Sequence, residues 1–295
     1  MSVKIAKNSG FCFGVKRAIK IASEAAQGNH KIVTLGPIIH NPQMVEKLAS
    51  EGIERVNEVS EIQGRPTIIR SHGVKKEVLE ELIANNIEII NATCPYVSKT
   101  QEYAKELSEQ GYMVVIMGDK NHPEVIALSS YIEGECLIVA SAEDVPEKKY
   151  QKVGIISQTT RKIDDLQKLV SIFIPKCHEM RVMNTICNAT SIRQESTLEL
   201  AKESDLMIVV GGRNSSNTKM LARISEDFVE TFHIETACEI DKKWFKGRNN
   251  IGLTAGASTP DWVIVEVYNK IIECMGNINQ KVDKIKDIPG FKEEE

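Results

Sequence analysis

Aromatic residues and long apolar runs are both scarce in this sequence. Phe, Trp and Tyr make up 5% of its 295 residues, so we expect cores of Ile, Val, Leu and Ala, as in layered α/β proteins. No run approaches the roughly 18 apolar residues of a transmembrane helix. The N-terminal residues lack the apolar segment of about 7–15 residues that a signal peptide needs. Neither a membrane span nor secretion is therefore expected.

An excess of basic residues is also missing. The chain has 37 Lys and Arg against 41 Asp and Glu, which gives a formal net charge of −4, and its basic residues are scattered. Nucleic acids and anionic membranes are bound through clustered positive charge. We therefore expect neither a nucleic-acid partner nor a membrane partner.

The seven cysteines include no C-x-x-C pair. This absence disfavours zinc ribbons, thioredoxin-like redox motifs and ferredoxin-type cluster loops, which separate two cysteines by two residues. An odd number of cysteines without a secretion signal also argues against a disulfide framework. The sequence thus predicts a protein of the reducing cytoplasm, in which the fold must bring together any cysteines that act jointly.

What the chain does contain is a spacing that occurs three times. Cys12, Cys94 and Cys187 each follow an Asn by three or four residues, and each precedes a run of helical periodicity. A Gly stands 24 residues after each of these cysteines, and a polar residue stands 28 residues after it. The pattern predicts three copies of one structural unit. The residues at the two offsets are Gly36, Gly118 and Gly211, and His40, His122 and Ser215.

Short apolar runs alternate with amphipathic helical segments along the chain. A helix that ends at Gly28-Asn29 precedes a predicted strand at 31–35, for example. Such alternation implies parallel βαβ layers with right-handed crossovers. We therefore predict an α/β fold of three similar βαβ lobes in a pseudo-threefold (trefoil) arrangement around a central cavity. Lobe one is 1–94, lobe two is 95–187 and lobe three is 188–279, with the tail 280–295 placed against lobe one.

One cysteine from each lobe could meet the other two only near the axis of such a trefoil. Three thiolates around one point suit an iron–sulfur cluster or a zinc ion. The alternative is three ordinary buried cysteines, since free cysteine is among the most buried residue types. The shared spacing favours a metal site. The remaining cysteines have no repeat partner, and we expect them to pack in the core. They are Cys136, Cys177, Cys238 and Cys274.

Polar residues follow the predicted strands at the edge where ligands bind in parallel sheets. Helices begin directly after these loops, and helix N-termini attract anions. A ring of neutral hydrogen-bond donors at this edge suits a phosphate or a diphosphate. The predicted donors are His40, His72, His122, Ser215, Ser216, Asn217 and Ser258.

Glu124 and Thr159 are the candidate catalytic residues. Glu124 comes two residues after His122, so it could reach the same ligand. A carboxyl group in a closed polar site can have a raised pKa and supply protons. Thr159 could relay a proton or hold a substrate hydroxyl. The simpler alternatives are a solvated glutamate at a helix start and a threonine cap.

Nine short motifs surround these positions: Gly-Phe-Cys-Phe-Gly-Val (10–15), His-Asn-Pro (40–42), Ser-His-Gly-Val (71–74), Ala-Thr-Cys-Pro (92–95), Asn-His-Pro-Glu (121–124), Ser-Gln-Thr-Thr (157–160), Thr-Ile-Cys (185–187), Asn-Ser-Ser-Asn-Thr (214–218) and Thr-Ala-Gly-Ala-Ser-Thr-Pro-Asp (254–261). In order and spacing they resemble the 4-hydroxy-3-methylbut-2-enyl diphosphate reductase family. The resemblance extends from about residue 4 to about residue 275.

The resemblance implies the last step of the non-mevalonate isoprenoid pathway. An allylic alcohol diphosphate there loses its hydroxyl with two electrons and two protons, giving isopentenyl and dimethylallyl diphosphate. On this chain it implies that Cys12, Cys94 and Cys187 bind one 4Fe–4S cluster whose open iron takes the hydroxyl. Glu124 would supply protons, with Thr159 close to the hydroxyl, and the seven donors named above would hold the diphosphate.

The same resemblance implies an external electron donor, a ferredoxin or a flavodoxin, since the chain carries no flavin or nicotinamide fingerprint. Two other interpretations are open at this point. A cluster dehydratase similar to quinolinate synthase would also have a pseudo-threefold α/β fold and three cysteines, but it needs no net electrons and places its cysteines in other contexts. A non-enzymatic, cluster-sensing binding protein would have no use for loops suited to a diphosphate.

Overall fold

The computed structural model describes residues 2–28 and 31–293, in which the β-strands form three four-stranded parallel sheets. Asn29, predicted to help end the first helix, lies outside the described residues, as do the last two residues of the tail. The strands are β1 (Ser2–Ile5), β2 (Ile32–Leu35), β3 (Ile53–Val56), β4 (Thr67–Ile69), β5 (Ile89–Asn91), β6 (Met113–Met117), β7 (Cys136–Val139), β8 (Tyr150–Ser157), β9 (Cys177–Val182), β10 (Leu206–Val210), β11 (Thr231–Ile234) and β12 (Asn250–Ala255).

Helices alternate with these strands, as the sequence predicts. They are α1 (Phe13–Ala26), α2 (Pro42–Ser50), α3 (Lys76–Ala84), α4 (Pro95–Glu109), α5 (Pro123–Ser129), α6 (Ile163–Phe173), α7 (Asn188–Lys202), α8 (Ser216–Glu226) and α9 (Asp261–Cys274).

The three sheets share one strand order. It is β3-β2-β4-β5 in the first, β7-β6-β8-β9 in the second and β11-β10-β12-β1 in the third. The inner strands are β2 and β4 in the first sheet, β6 and β8 in the second, and β10 and β12 in the third, while the strand that stands fourth in this order lies at an edge. This confirms the predicted α/β class with three similar lobes.

The strand β1 completes the third sheet. Its residues pair in parallel with β12, from Ser2 opposite Asn250 to Ile5 opposite Leu253. The N-terminus thus takes the edge place that β5 and β9 occupy in the other sheets. Sequence periodicity did not predict β1, β3 or β11. All three are four-residue edge strands, whose partial burial leaves too short an apolar pattern to read.

The chain divides into two compact units. One comprises residues 1–13, 40–44 and 188–295 and contains the third sheet. The other comprises residues 14–39 and 45–187 and contains the first two sheets. The lobe limits 1–94, 95–187 and 188–279 stay a prediction.

The central strand β6 shows why apolar runs form these strands. Val115 and Met117 pack with α6 on one face of the second sheet, while Val114 and Ile116 pack with α4 and α5 on the other. All four side chains are at most 1% exposed. A strand covered by helices on both faces needs a continuous apolar run rather than an alternating one, and the sequence of β6, Met-Val-Val-Ile-Met, meets that need.

The C-terminal tail packs beside β1. The N–H of Ile5 donates to the carbonyl of Pro289, and the N–H of Asn8 donates to that of Lys292, both at 2.8 Å. Ile285 and Ile288 of the tail are buried in the core of the third sheet. The tail and β1 therefore both contribute to the lobe of the third sheet. The residues that bond the tail, Ile5 and Asn8, have numbers within the predicted lobe one, 1–94.

The substitution Ile5→Ala tests the role of β1 in the third lobe. Ile5 is 2% exposed and belongs to the core of the third sheet. Removal of a buried isoleucine side chain typically costs about 2–5 kcal/mol of unfolding free energy, and we expect a loss of that size in urea titrations. Lys4→Ala, on the exposed side of the same strand, should change it by less than about 0.5 kcal/mol. Equal effects would contradict the burial of β1.

Candidate functional site

The three candidate ligand cysteines occupy equivalent positions in the fold. Cys12 follows β1, Cys94 follows β5 and Cys187 follows β9. Each cysteine therefore comes after the edge strand that stands fourth in the strand order of its sheet. Each is also followed directly by a helix, α1, α4 or α7. The spacing seen in the sequence therefore reflects a repeated position at the carboxyl end of a strand.

The peptide N–H of each of these cysteines donates to a carbonyl that follows the third strand of its sheet. The strands concerned are β12, β4 and β8, and the acceptors lie in the polar tips after them. The loop before each thiol is therefore fixed to the neighbouring strand end. The bonds run from Cys12 to Ala257 at 3.2 Å, from Cys94 to Ser71 at 3.0 Å and from Cys187 to Thr159 at 3.0 Å.

Asparagines shape two of these loops. The side-chain oxygen of Asn91 accepts the N–H of Thr93 at 2.9 Å, and that of Asn184 accepts the N–H of Ile186 at 3.2 Å. Such turns are a local preference of asparagine. The Asn that precedes the cysteine in the sequence motif is thus a turn former in lobes one and two.

All seven cysteines lie in the described part of the chain, and none of them forms a disulfide there. Cys12, Cys94 and Cys187 are partly buried. The prediction of core packing for the other four is wrong for Cys136 and Cys238, which are exposed. Cys136 lies on the edge strand β7, where one side of the strand has no neighbour in its sheet.

In the second lobe, Thr159 binds both oxygens of Glu124. The backbone N–H of Thr159 donates to Oε1 at 2.7 Å, and its hydroxyl donates to Oε2 at 2.9 Å. Both residues are buried, Glu124 at 2% and Thr159 at 6% exposure. The alternative of a solvated glutamate is therefore wrong, and the two predicted catalytic residues are in direct contact.

Burial raises the pKa of the Glu124 carboxyl above its usual value. The two hydrogen bonds from Thr159 and the charge of Arg161 act in the opposite direction, because they stabilise the carboxylate. A buried carboxyl group with a raised pKa can hold a proton nearer neutral pH and deliver it to a neighbouring group.

His122 caps the helix α5 with its imidazole ring. Its Nδ1 accepts the backbone N–H of Glu124 at 3.2 Å, so in the neutral ring the hydrogen is on Nε2. His72, in the loop after β4, makes an edge-to-face contact with this ring at a centroid distance of 5.4 Å. The second compact unit therefore brings two of the predicted histidines together beside Glu124.

The loop after β10 presents three of the predicted donors. Ser215 caps α8, since its hydroxyl accepts the N–H of Thr218 at 3.3 Å, and Ser216 is the first residue of that helix. Asn217 is 4% exposed, yet among the described residues neither its Oδ1 nor its Nδ2 has a hydrogen-bond partner. An unsatisfied buried amide is costly, and both of its polar atoms are available to hydrogen-bond a polar ligand.

Ser258 and His40 meet within the first compact unit. The Ser258 hydroxyl donates to the carbonyl of His40 at 3.3 Å. A side chain on Gly212 would place its Cβ only 2.4 Å from that same carbonyl. Gly212 is therefore required for the close approach of the His40 loop to the loop after β10.

Asn41 is a structural residue that the offset of 28 misses. Its side-chain oxygen accepts the N–H of Met44 at 2.9 Å and so caps α2, as His122 caps α5 and Ser215 caps α8. The offset points instead to His40, one residue earlier. The Pro that opens both α2 and α5 is the sequence signal that would have aligned Asn41 with His122.

The family model of the LytB protein matches residues 3–272. The chain belongs to the LytB family.

Curated members of the LytB family align with nearly the whole chain. The 4-hydroxy-3-methylbut-2-enyl diphosphate reductase of Geobacter sp. (strain M21) is 48% identical over 274 residues, which are 92% of this chain and 97% of that protein. The reductase of Geobacter sulfurreducens is 47% identical over 275 residues, 92% of this chain and 98% of that protein.

Solved structures of the same enzyme share the fold. A structure of (E)-4-hydroxy-3-methyl-but-2-enyl diphosphate reductase, described as the terminal enzyme of the non-mevalonate pathway, is 45% identical with a TM-score of 0.68, over 92% of this chain and all of that one. The Plasmodium falciparum reductase is 28% identical with a TM-score of 0.86, over 99% and 91% of the two chains. Within its described residues, this LytB chain has no helix both long and apolar enough to cross a bilayer.

The pH dependence of stability should report the raised pKa of Glu124. The usual pKa is 4.5. The contribution of this carboxyl to the unfolding free energy is fully present below that value. It is lost as the pH rises through the raised pKa of the folded state, because the folded protein then holds a buried charge. Glu124→Gln removes this loss. We therefore expect the unfolding free energy of Glu124→Gln to increase relative to that of the wild type as the pH rises from 4.5 towards neutrality.

Urea titrations across this range make the measurement, and Thr159→Ser is the control. Serine keeps the hydroxyl and the backbone donor that Glu124 binds, so this variant should follow the pH dependence of the wild type. A constant difference between Glu124→Gln and the wild type would contradict the raised pKa.

Proposed function

We propose that this chain is a 4-hydroxy-3-methylbut-2-enyl diphosphate reductase. Its relatives carry that name at 46–48% identity over nearly their full length. The proposed reaction removes the allylic hydroxyl as water, with two electrons and two protons, and yields isopentenyl and dimethylallyl diphosphate. The observation that carries the chemistry is the buried Glu124–Thr159 pair, an acid joined to a hydroxyl.

The cysteine thiols fit an iron–sulfur cofactor. Cys12, Cys94 and Cys187 have the same place after the strands, the same backbone anchor and a helix beginning at the next residue. All three residues are partly buried, and thiolates are the ligands that such clusters prefer. These three residues would hold one 4Fe–4S cluster. When bound, the cluster supplies electrons and a Lewis-acidic iron that no protein residue ligates.

Glu124 and Thr159 form the proposed proton path. The hydrogen bond between Glu124 Oε2 and Thr159 Oγ1 lets a carboxyl proton pass to the threonine oxygen. Once the protonated Oε2 donates to Oγ1, the threonine hydrogen, which otherwise points to Oε2, turns to the departing hydroxyl, which leaves as water. The bond from the Thr159 hydroxyl to Oε2 holds the threonine side chain against the acid, so a proton can pass between them directly.

The diphosphate is proposed to be bound by neutral donors. The unsatisfied amide of Asn217 and the Nε2–H of His122 are the best supported of these. Neutral donors bind an anion without the strong charge of an Arg cluster, which favours release of a product that keeps the same diphosphate. The complete proposed set is His40, His72, His122, Thr159, Ser215, Ser216, Asn217 and Ser258.

The electrons are proposed to come from a ferredoxin or a flavodoxin. The sequence contains no flavin or nicotinamide fingerprint, so the chain needs a protein that carries electrons to it. A reducing cytoplasm is the compartment that suits both the thiols and such a carrier.

Iron analysis of anaerobically purified protein tests the cofactor. The wild type should be brown, with about four irons and four sulfides per chain. Cys94→Ser should lose the cluster and the activity, because it removes a thiolate at an anchored loop. Cys136→Ser, which removes an exposed thiol on β7, should keep both. A colourless zinc protein, or equal loss in the two variants, would contradict the assignment.

Turnover of the allylic alcohol diphosphate with reduced viologen tests the reaction and the acid. The wild type should release five-carbon diphosphates. Glu124→Gln should bind the substrate with similar affinity and lower kcat by about 10²–10⁴-fold, because only the proton supply is removed. Glu143→Gln, an exposed acid of the same lobe, is the matched control. Turnover without any reductant would point to a dehydratase, and an unchanged kcat would remove Glu124 from the proton path.

A further inference from the structure

An arginine in the helix after Cys12 holds the loop before Cys94. Arg17 lies five residues after Cys12, in α1, and its Nη1 donates to the carbonyl of Thr93 at 3.0 Å. Thr93 immediately precedes Cys94, whose own N–H donates to Ser71 at 3.0 Å. The Thr93–Cys94 peptide is therefore held at its oxygen by a cation and at its nitrogen by a strand-end carbonyl.

The same relation recurs in the helix after Cys187. Arg193 lies six residues after Cys187, in α7, and its Nη2 donates to the carbonyl of Gly10 at 2.9 Å. Gly10 stands two residues before Cys12. Arg193 is 2% exposed, and Ser196, one turn further along the helix, donates to the carbonyl of Lys7 at 2.9 Å. The helix α7 thus holds the loop of Cys12 at two places.

The loop before Cys187 is held in another way. The hydroxyl of Thr185 donates to the carbonyl of Ser157 at 2.6 Å and accepts the N–H of Ser157 at 2.8 Å. The helix after Cys94, α4, contains no arginine. Its residue six positions after Cys94 is Thr100, which donates to Tyr96 in its own helix. Two of the three cysteine loops are therefore anchored by a guanidinium group.

We propose that Arg17 and Arg193 are positioning residues that hold the loops of Cys94 and Cys12 and set the reduction potential of the bound cluster. This inference rests on the proposed function, in which those cysteines are cluster ligands. A neutral side chain could supply the hydrogen bond alone. A guanidinium adds a permanent positive charge, which here is bound to the carbonyl of a residue one or two positions before the cysteine. Its hydrogen bond is also stronger, because it is charge-assisted.

The charge bears on electron uptake. Addition of an electron makes a thiolate-bound cluster more negative, so nearby positive charge favours the reduced form and raises the potential. Groups that orient ligands from outside the ligand set also govern retention of the metal, and their loss typically costs about 10–100-fold in affinity or activity. Positioning and charge are separable, because lysine keeps the charge while losing the fixed geometry of the guanidinium.

The test compares Arg17→Gln, Arg17→Lys and the control Lys20→Gln in anaerobically loaded protein. Lys20 is an exposed cation three residues further along α1, so its removal changes the same net charge without touching a cysteine loop. Arg17→Gln should release iron to a chelator about 10–100-fold faster than the wild type, and its midpoint potential should shift to a more negative value. Arg17→Lys should keep the potential near that of the wild type but release iron faster than the control.

Iron release is followed by the loss of visible absorbance, and the potential by a redox titration, so neither depends on turnover. If Arg17→Gln and Lys20→Gln have the same rate of iron release and the same midpoint potential, the inference is overturned while the proposed function stays intact. If Arg17→Gln does not fold, Arg17→Lys decides, since iron release equal to that of the control overturns the inference. A wild-type protein that takes up no iron would overturn the proposed cofactor and this inference together.

Discussion

The bond from each candidate ligand cysteine to the end of a neighbouring strand is the interaction on which the site depends. It exists because the third and fourth strands of every sheet are parallel and adjacent, so both chains leave the sheet at the same edge. The segment that follows the third strand then offers a carbonyl, and the segment that follows the fourth strand offers the N–H of the cysteine. The thiol positions are therefore a consequence of strand order. In the third lobe this order requires the N-terminus itself, since β1 supplies the fourth strand.

Thr159 connects two functions within one loop. Its N–H and hydroxyl bind Glu124, and its carbonyl binds the N–H of Cys187. A displacement of this loop would change the environment of the acid and the position of the thiol together. Each of the other two loops receives a cation from a helix, Arg17 in one case and Arg193 in the other. The three lobes thus share a frame but differ in the charge placed beside each cysteine.

Much of this arrangement could be predicted from local patterns. Buried strands such as β6 are continuous apolar runs, and the offsets from Cys12, Cys94 and Cys187 reflect a repeated fold unit. The edge strands β1, β3 and β11 escaped prediction because four half-buried residues carry little periodicity. Asn41 and the two arginines escaped it because capping and loop anchoring depend on geometry that an offset does not resolve. The expected burial of Cys136 failed because an apolar run does not show which strand lies at the edge.

The sequence by itself determined the α/β class, the threefold repeat, the family and the identity of the candidate thiols. These properties follow from residue type and spacing along the chain, which periodicity and motifs record directly. Only the tertiary structure decided which polar groups meet and which are buried. Glu124 and Thr159 are 35 residues apart, and Arg193 and Gly10 are 183 apart. The raised pKa of Glu124, the unsatisfied amide of Asn217 and the anchored cysteine loops all arise from such distant contacts, because desolvation and hydrogen bonding depend on neighbours in space rather than in sequence.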